Sequence, residues 1–114
     1  MVQASALRPD RVGAVMACHP GNALVTDKPD SPHLLAPKIK SRVYIAGATE
    51  DASFTDDMKA KLEAALSQAG VDHQIETYPA KHGWVFRDLP VYDAAAAERH
   101  WKTMVALFDG KLKQ

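Results

Sequence analysis

Residues 42–51 read RVYIAGATED, and this stretch decides the fold. Val43 to Ala46 form a short, continuously apolar run. A run of that kind suits a strand buried on both faces of a parallel sheet. From Ala46 the chain turns small and polar and ends on Asp51. In open α/β sheets, functional residues gather just beyond the carboxyl ends of the strands. The ten residues therefore offer a strand and a site loop together.

Upstream, VGAVMAC at 12–18 is a second apolar run. It reads as another strand, with a buried helix as the alternative, and follows a short polar lead containing Pro9. The connection HPGNALVTDKPDSPHLLAPKIKS carries Pro20, Pro29, Pro32 and Pro37. Its length predicts a functional loop or a short helix around Pro32–Ala36. Downstream, Thr55 reads as an N-cap, with Asp56 and Asp57 in the first turn where the helix dipole favours negative charge. Met58, Leu62, Ala65, Leu66 and Ala69 follow at helical spacing, and Gly70 supplies the stop. Val71, His73, Ile75 and Thr77 then alternate with Asp72, Gln74, Glu76 and Tyr78. That period of two gives a strand with one more polar face, placed toward a sheet edge. From Tyr92 a second long helix, with Asp93 as cap, sets Ala97, Trp101, Met104, Val105, Phe108 and Leu112 on one stripe, read as a packing face. The order implies a three-layer α/β arrangement with a mostly parallel sheet and right-handed crossovers.

The bulk properties narrow the function. The chain has 114 residues, 14 basic and 14 acidic, so a single domain of zero formal charge is expected. That balance gives no electrostatic reason to expect nucleic acid or an anionic membrane as partner. One Cys excludes an internal disulfide framework and fits a reducing compartment. MVQASALRPDRV lacks a basic segment followed by an apolar one, and no apolar run is long enough to span a bilayer. A cytoplasmic protein is the expectation. His19, His33, His73, His82 and His100 show no HxxxH-type pair, so neither a metal nor a cofactor is expected.

Two loops leave successive strands on one edge of the expected sheet. One ends at Asp51; the other, AKHGW at 80–84, carries His82. A buried carboxylate on one imidazole nitrogen fixes the tautomer and stabilises the imidazolium formed in proton transfer. Acid before His, with a helix and a strand between, is the order of the α/β-hydrolase fold. RVYIAGATEDASF, the helix and strand DDMKAKLEAALSQAGVDHQIETYPAKHGW, and LPVYDAAAAERHWKTMVALF together resemble the C-terminal portion of the dienelactone hydrolase family. PDRVGAVMACHPGNALVTDKPDSPHLLAPKIK resembles that family's preceding strand and connection. The resemblance spans roughly residues 8 to 110.

The resemblance implies a truncated α/β-hydrolase domain over 1–114, with about three strands and two long helices. It implies hydrolysis of a small-molecule ester or lactone, in the type enzyme a dienelactone opened to maleylacetate. Asp51 would be the acid and His82 the base. Glu50 is adjacent, but the match through Asp51-Ala52-Ser53-Phe54 favours Asp51. The Gly-x-Cys-x-Gly-like elbow that carries the nucleophile is expected before residue 1. Cys18 ends a strand, but His19-Pro20-Gly21-Asn22 follows where an elbow needs a helix, and Met16 stands where it needs Gly. Cys18 therefore reads as a buried thiol. Trp84 is expected to wall the pocket, Arg87 to meet the substrate, and His19 either to line the site or to serve its own loop. A partner copy, in a homodimer or larger homo-oligomer, is expected to cover the Val12–Cys18 edge. The alternative function is a non-catalytic remnant acting as an oligomeric interaction module.

Overall fold

The computed structural model describes residues 2–112, with side chains through Gly110. Strands β1 (Ala14–Cys18), β2 (Arg42–Ala48) and β3 (His73–Tyr78) form one parallel sheet in the order β1-β2-β3. The register aligns Cys18 with Ala46 and Ala46 with Glu76, so all three strands end together at one edge. Helix α1 (Val2–Leu7), a 3-10 helix (Pro32–Lys38) and helix α2 (Asp56–Gln68) cover one face. Helix α3 (Ala94–Leu112) covers the other. This is the expected three-layer α/β arrangement.

Strand alternation divides the core. Val15, Val43 and Ile45 face α2, where Leu62 and Leu66 are fully buried. Met16, Tyr44, Ala46 and Tyr78 face α3 and meet Ala96, Ala97 and Leu107. Helix α2 begins where the cap predicts, with Thr55 Oγ1 accepting from the Met58 N–H at 3.2 Å. Past its end Gly70 sits at φ 69°, a left-handed turn that glycine makes without steric cost.

Three expectations are corrected. The lead before Pro9 is not merely polar chain but contains α1. Six residues are too few for an isolated helix, and this one is held by burying Val2 and Ala6, one turn apart, in the α2-side core. The first strand begins at Ala14 rather than Val12. The stripe on α3 is also rotated. Ala97 is buried as expected, but His100 and Leu107 join it, while Trp101 and Val105 stay 49% and 55% exposed. The Leu112 side chain lies outside the described residues. Arg99 pairs with Glu76 and lies 4.1 Å over the Tyr78 ring, so that flank of α3 faces β3. Trp101 and Val105 lie on the flank of the helix away from Arg99.

Among the described residues β1 pairs only with β2, and no helix is long and apolar enough to cross a membrane.

Candidate active site

The site is built where β2 and β3 end. Thr49 ties the two loops together, since its N–H donates to Ala80 O at 2.9 Å and its hydroxyl to Tyr78 O at 2.8 Å. Glu50 follows at φ 53° and is exposed, so the turn drives the next residue inward. That residue is Asp51, whose side chain is only 2% exposed. Asp51 Oδ1 accepts from the Ser53 N–H at 2.8 Å, which fixes the carboxylate against its own loop.

Asp51 Oδ2 lies 2.7 Å from His82 Nδ1. Burial opposes ionisation of Asp51, but hydrogen bonds from His82 and Ser53, together with the His82 charge, outweigh it. The carboxyl is held below its ordinary value. An ionised carboxylate can only accept, so Nδ1 carries the proton. In the neutral ring Nε2 then holds a free lone pair, and the His82 side chain is 42% exposed. The arrangement is an imidazole turned to solvent and held by a buried carboxylate. A groove of about 330 Å³, lined by Thr49, Glu50, Asp51, Ser53, Lys81 and His82 among others, opens beside it.

His19 joins this pair from β1. Its ring centroid lies 4.9 Å from that of His82, with Trp84 at 4.8 Å and Phe86 at 5.3 Å. Burial and the nearby His82 charge hold its imidazole below the ordinary histidine value. Trp84 is fully buried, stacked on Tyr78 at 5.1 Å, and stands behind His19 rather than facing solvent. Phe86 is half-exposed and escaped the sequence reading; an aromatic two residues beyond a buried Trp was the available signal. Arg87 is exposed, and among the described residues its side chain makes no hydrogen bond or ion pair.

Cys18 is half-buried at the end of β1, and burial pushes its thiol up, the wrong direction for a thiolate nucleophile. Among the described residues no Ser, Thr or Cys side chain hydrogen-bonds His82, and no group of three or more His, Cys, Asp or Glu is gathered as a metal would need. A separate cleft of about 300 Å³ between α1 and the end of β1, lined by Val2, Ala17, Pro20, Leu24 and Pro32, has no titratable side chain in its wall.

Comparison with known proteins agrees with this architecture. A dienelactone hydrolase structure from Klebsiella pneumoniae superposes with a TM-score of 0.79 at 23% identity, over 94% of this chain and 47% of that one. A dienelactone hydrolase-like promiscuous phosphotriesterase from metagenomic libraries gives 0.70 at 22% identity, over 87% and 42%. An acylaminoacyl peptidase from Pyrococcus horikoshii gives 0.58 at 22% identity, over 74% of this chain and 13% of that one. These likenesses establish the fold, and the chain spans about half the length of the first two structures, or less. A search of curated protein sequences returns no match. The dienelactone hydrolase family model matches residues 1–112. With an acid loop and a histidine loop on one edge of a parallel sheet, and a family match along almost its whole length, this chain belongs to the dienelactone hydrolase family.

Proposed function

We propose that the chain supplies the acid–base half of an ester or lactone hydrolase, with the nucleophile supplied from outside residues 1–114. A hydrolase-type function is what the family and the structural neighbours support. The observation that carries the finer reading is the 2.7 Å contact from buried Asp51 to His82 Nδ1, which leaves Nε2 open. In this reading His82 Nε2 takes the proton from an elbow thiol as its sulfur attacks the substrate carbonyl. The proton then passes to the departing alcohol as the acyl–oxygen bond breaks. Water, deprotonated by the same nitrogen, cleaves the thioester and releases the acid. Asp51 keeps the tautomer and stabilises the imidazolium. Trp84 acts through His19, Arg87 stands as an outer contact for an anionic substrate, and the whole chain serves as one truncated hydrolase domain.

The test uses a p-nitrophenyl ester. The chain alone should hydrolyse it no faster than an Asp51→Ala, His82→Ala double variant. DNA immediately upstream of the Met1 codon should encode an in-frame Gly-x-Cys-x-Gly elbow, and the longer chain should hydrolyse the ester until His82 is replaced. A longer chain whose rate ignores His82→Ala refutes the reading.

A second reading, a non-catalytic interaction module, draws on one observation. Among the described residues β1 pairs on one flank only, and Trp101 and Val105 on α3 are exposed; apolar features of this kind favour pairing. Here a second copy pairs along β1 to give a homodimer. Light scattering at micromolar concentration should then report a dimer that Trp101→Glu, Val105→Glu dissociates. A well-folded monomer contradicts it.

A further inference from the structure

His19 combines three features that its position at a strand end does not require. Its N–H donates to Ala46 O at 2.8 Å, so the sheet ladder extends to this residue. Immediately there its backbone enters the left-handed region at φ 32°. For a side chain other than glycine such a conformation is strained and persists where the surroundings over-determine it. The turn carries the ring across the strand ends toward the β3 loop. There the residue is 8% exposed, and its Nε2 is buried with no hydrogen-bond partner among the described residues.

What holds the ring is aromatic contact on three sides. Trp84 meets it edge-on at 83°, Phe86 at 61°, and His82 lies tilted at 60°. His82 needs such a neighbour. Its one hydrogen bond, to Asp51, fixes Nδ1 but leaves a ring that is 42% exposed free to swing about that contact. A flat ring at 4.9 Å closes off one direction of swing. A cationic side chain in that place would repel the imidazolium that His82 becomes. The groups facing His19 are Asp51 and His82 from the two loops, His100 from α3 and Cys18 beside it in β1.

We propose that His19 is a positioning residue: its uncharged ring, clamped by Trp84 and Phe86, holds the His82 imidazole in the orientation that keeps Nδ1 on Asp51 and Nε2 toward the groove. The inference rests on the reading of His82 as the base and extends it to a residue on a different strand. His19 acts by shape and by neutrality rather than by its own nitrogens.

Proton NMR of the chain itself tests this. A proton shared between Nδ1 and a buried carboxylate gives a downfield imidazole N–H signal, which Asp51→Asn should abolish. In His19→Ala exchange of that proton with water should accelerate about tenfold, as a ring contact worth that factor is lost. His19→Phe, which restores a neutral ring, should return the signal to its original exchange rate. Circular dichroism checks the fold of each variant. If His19→Ala does not fold, Phe86→Ala replaces it, because Phe86 is half-exposed and its ring lies against His19. A signal unchanged in the Ala variant used, or one that His19→Phe does not restore, overturns the proposal. Absence of the signal from the wild-type chain instead overturns the Asp51–His82 reading beneath it.

Discussion

Trp84 gives the most quantitative test of how the site is supported. It is fully buried, stacks on Tyr78 at 29° between planes, and backs His19. Truncation to Ala removes an entire indole from a packed core, a change that costs about 3–5 kcal/mol. A domain of this length is stable by roughly 6–17 kcal/mol, so the loss is a large share of the total. Trp84→Phe sets two terms against each other. Losing the second ring costs about 1–2 kcal/mol in packing. The indole Nε1, however, is buried without a hydrogen-bond partner, and removing an orphaned donor returns about 1–3 kcal/mol. Phe should therefore leave stability within about 1 kcal/mol of the wild type. Urea unfolding followed by circular dichroism reads both. With a slope of about 1.5 kcal/mol/M, Ala should lower the midpoint by about 2–3 M and Phe by less than about 0.7 M. If Phe is as damaging as Ala, or if Ala shifts the midpoint by less than about 0.5 M, this account of the core behind His19 is wrong.

Two further outcomes are expected. Gly83 holds φ 95°, and a Cβ there would meet Val91 Cγ2 at 3.1 Å and Leu89 Cδ1 at 3.2 Å. Gly83→Ala should cost about 1–3 kcal/mol in thermal unfolding and displace the neighbouring His82; a midpoint equal to the wild type would contradict the turn geometry. The pair His73–Glu63, at 2.9 Å on the α2 side, should give stability a pH window. Burial opposes the charge on His73, but Val71 O and Glu63 outweigh it and raise the imidazole above its ordinary 6.5. His73, with some help from Ser67, lowers Glu63 below its ordinary 4.5. The His contribution is complete below 6.5 and fades as pH rises through the raised value; the Glu contribution is complete above 4.5 and fades as pH falls through the lowered one. The stability difference between wild type and His73→Gln should therefore peak between pH 4.5 and 6.5. A difference that grows steadily with pH would contradict it.

Much of this architecture is legible in the residues because local and global preferences agree. VYIAGA, from Val43 to Ala48, is without a charge at every position that β2 buries, and Thr55 with two acids announces α2. What escaped was set by tertiary contact. Six residues do not predict α1, because its stability comes from the core that Val2 and Ala6 enter. The apolar stripe on α3 is wider than the face the sheet covers, and which half is buried is set by packing on the sheet rather than by any local pattern. In the site, the order of Asp51 and His82 was readable from the alternation of strands and helix. His19 was readable as one that could line the site, but its ring contact with His82 was not, since that depends on a left-handed backbone at a residue that is not glycine. Cys18 illustrates the reverse case. Its sequence neighbours already argued against an elbow, and its burial raises the thiol as a structural cysteine's would.

The central claim is that Asp51 makes His82 a base at Nε2, and nitrogen-15 NMR of the imidazoles tests it most directly. In the neutral ring His82 Nδ1 should appear as the protonated, pyrrole-type nitrogen and Nε2 as the bare, pyridine-type one. Asp51→Asn, whose amide can donate to Nδ1, should reverse the assignment. A wild-type His82 with its proton on Nε2, or one whose tautomer ignores Asp51, would contradict the account.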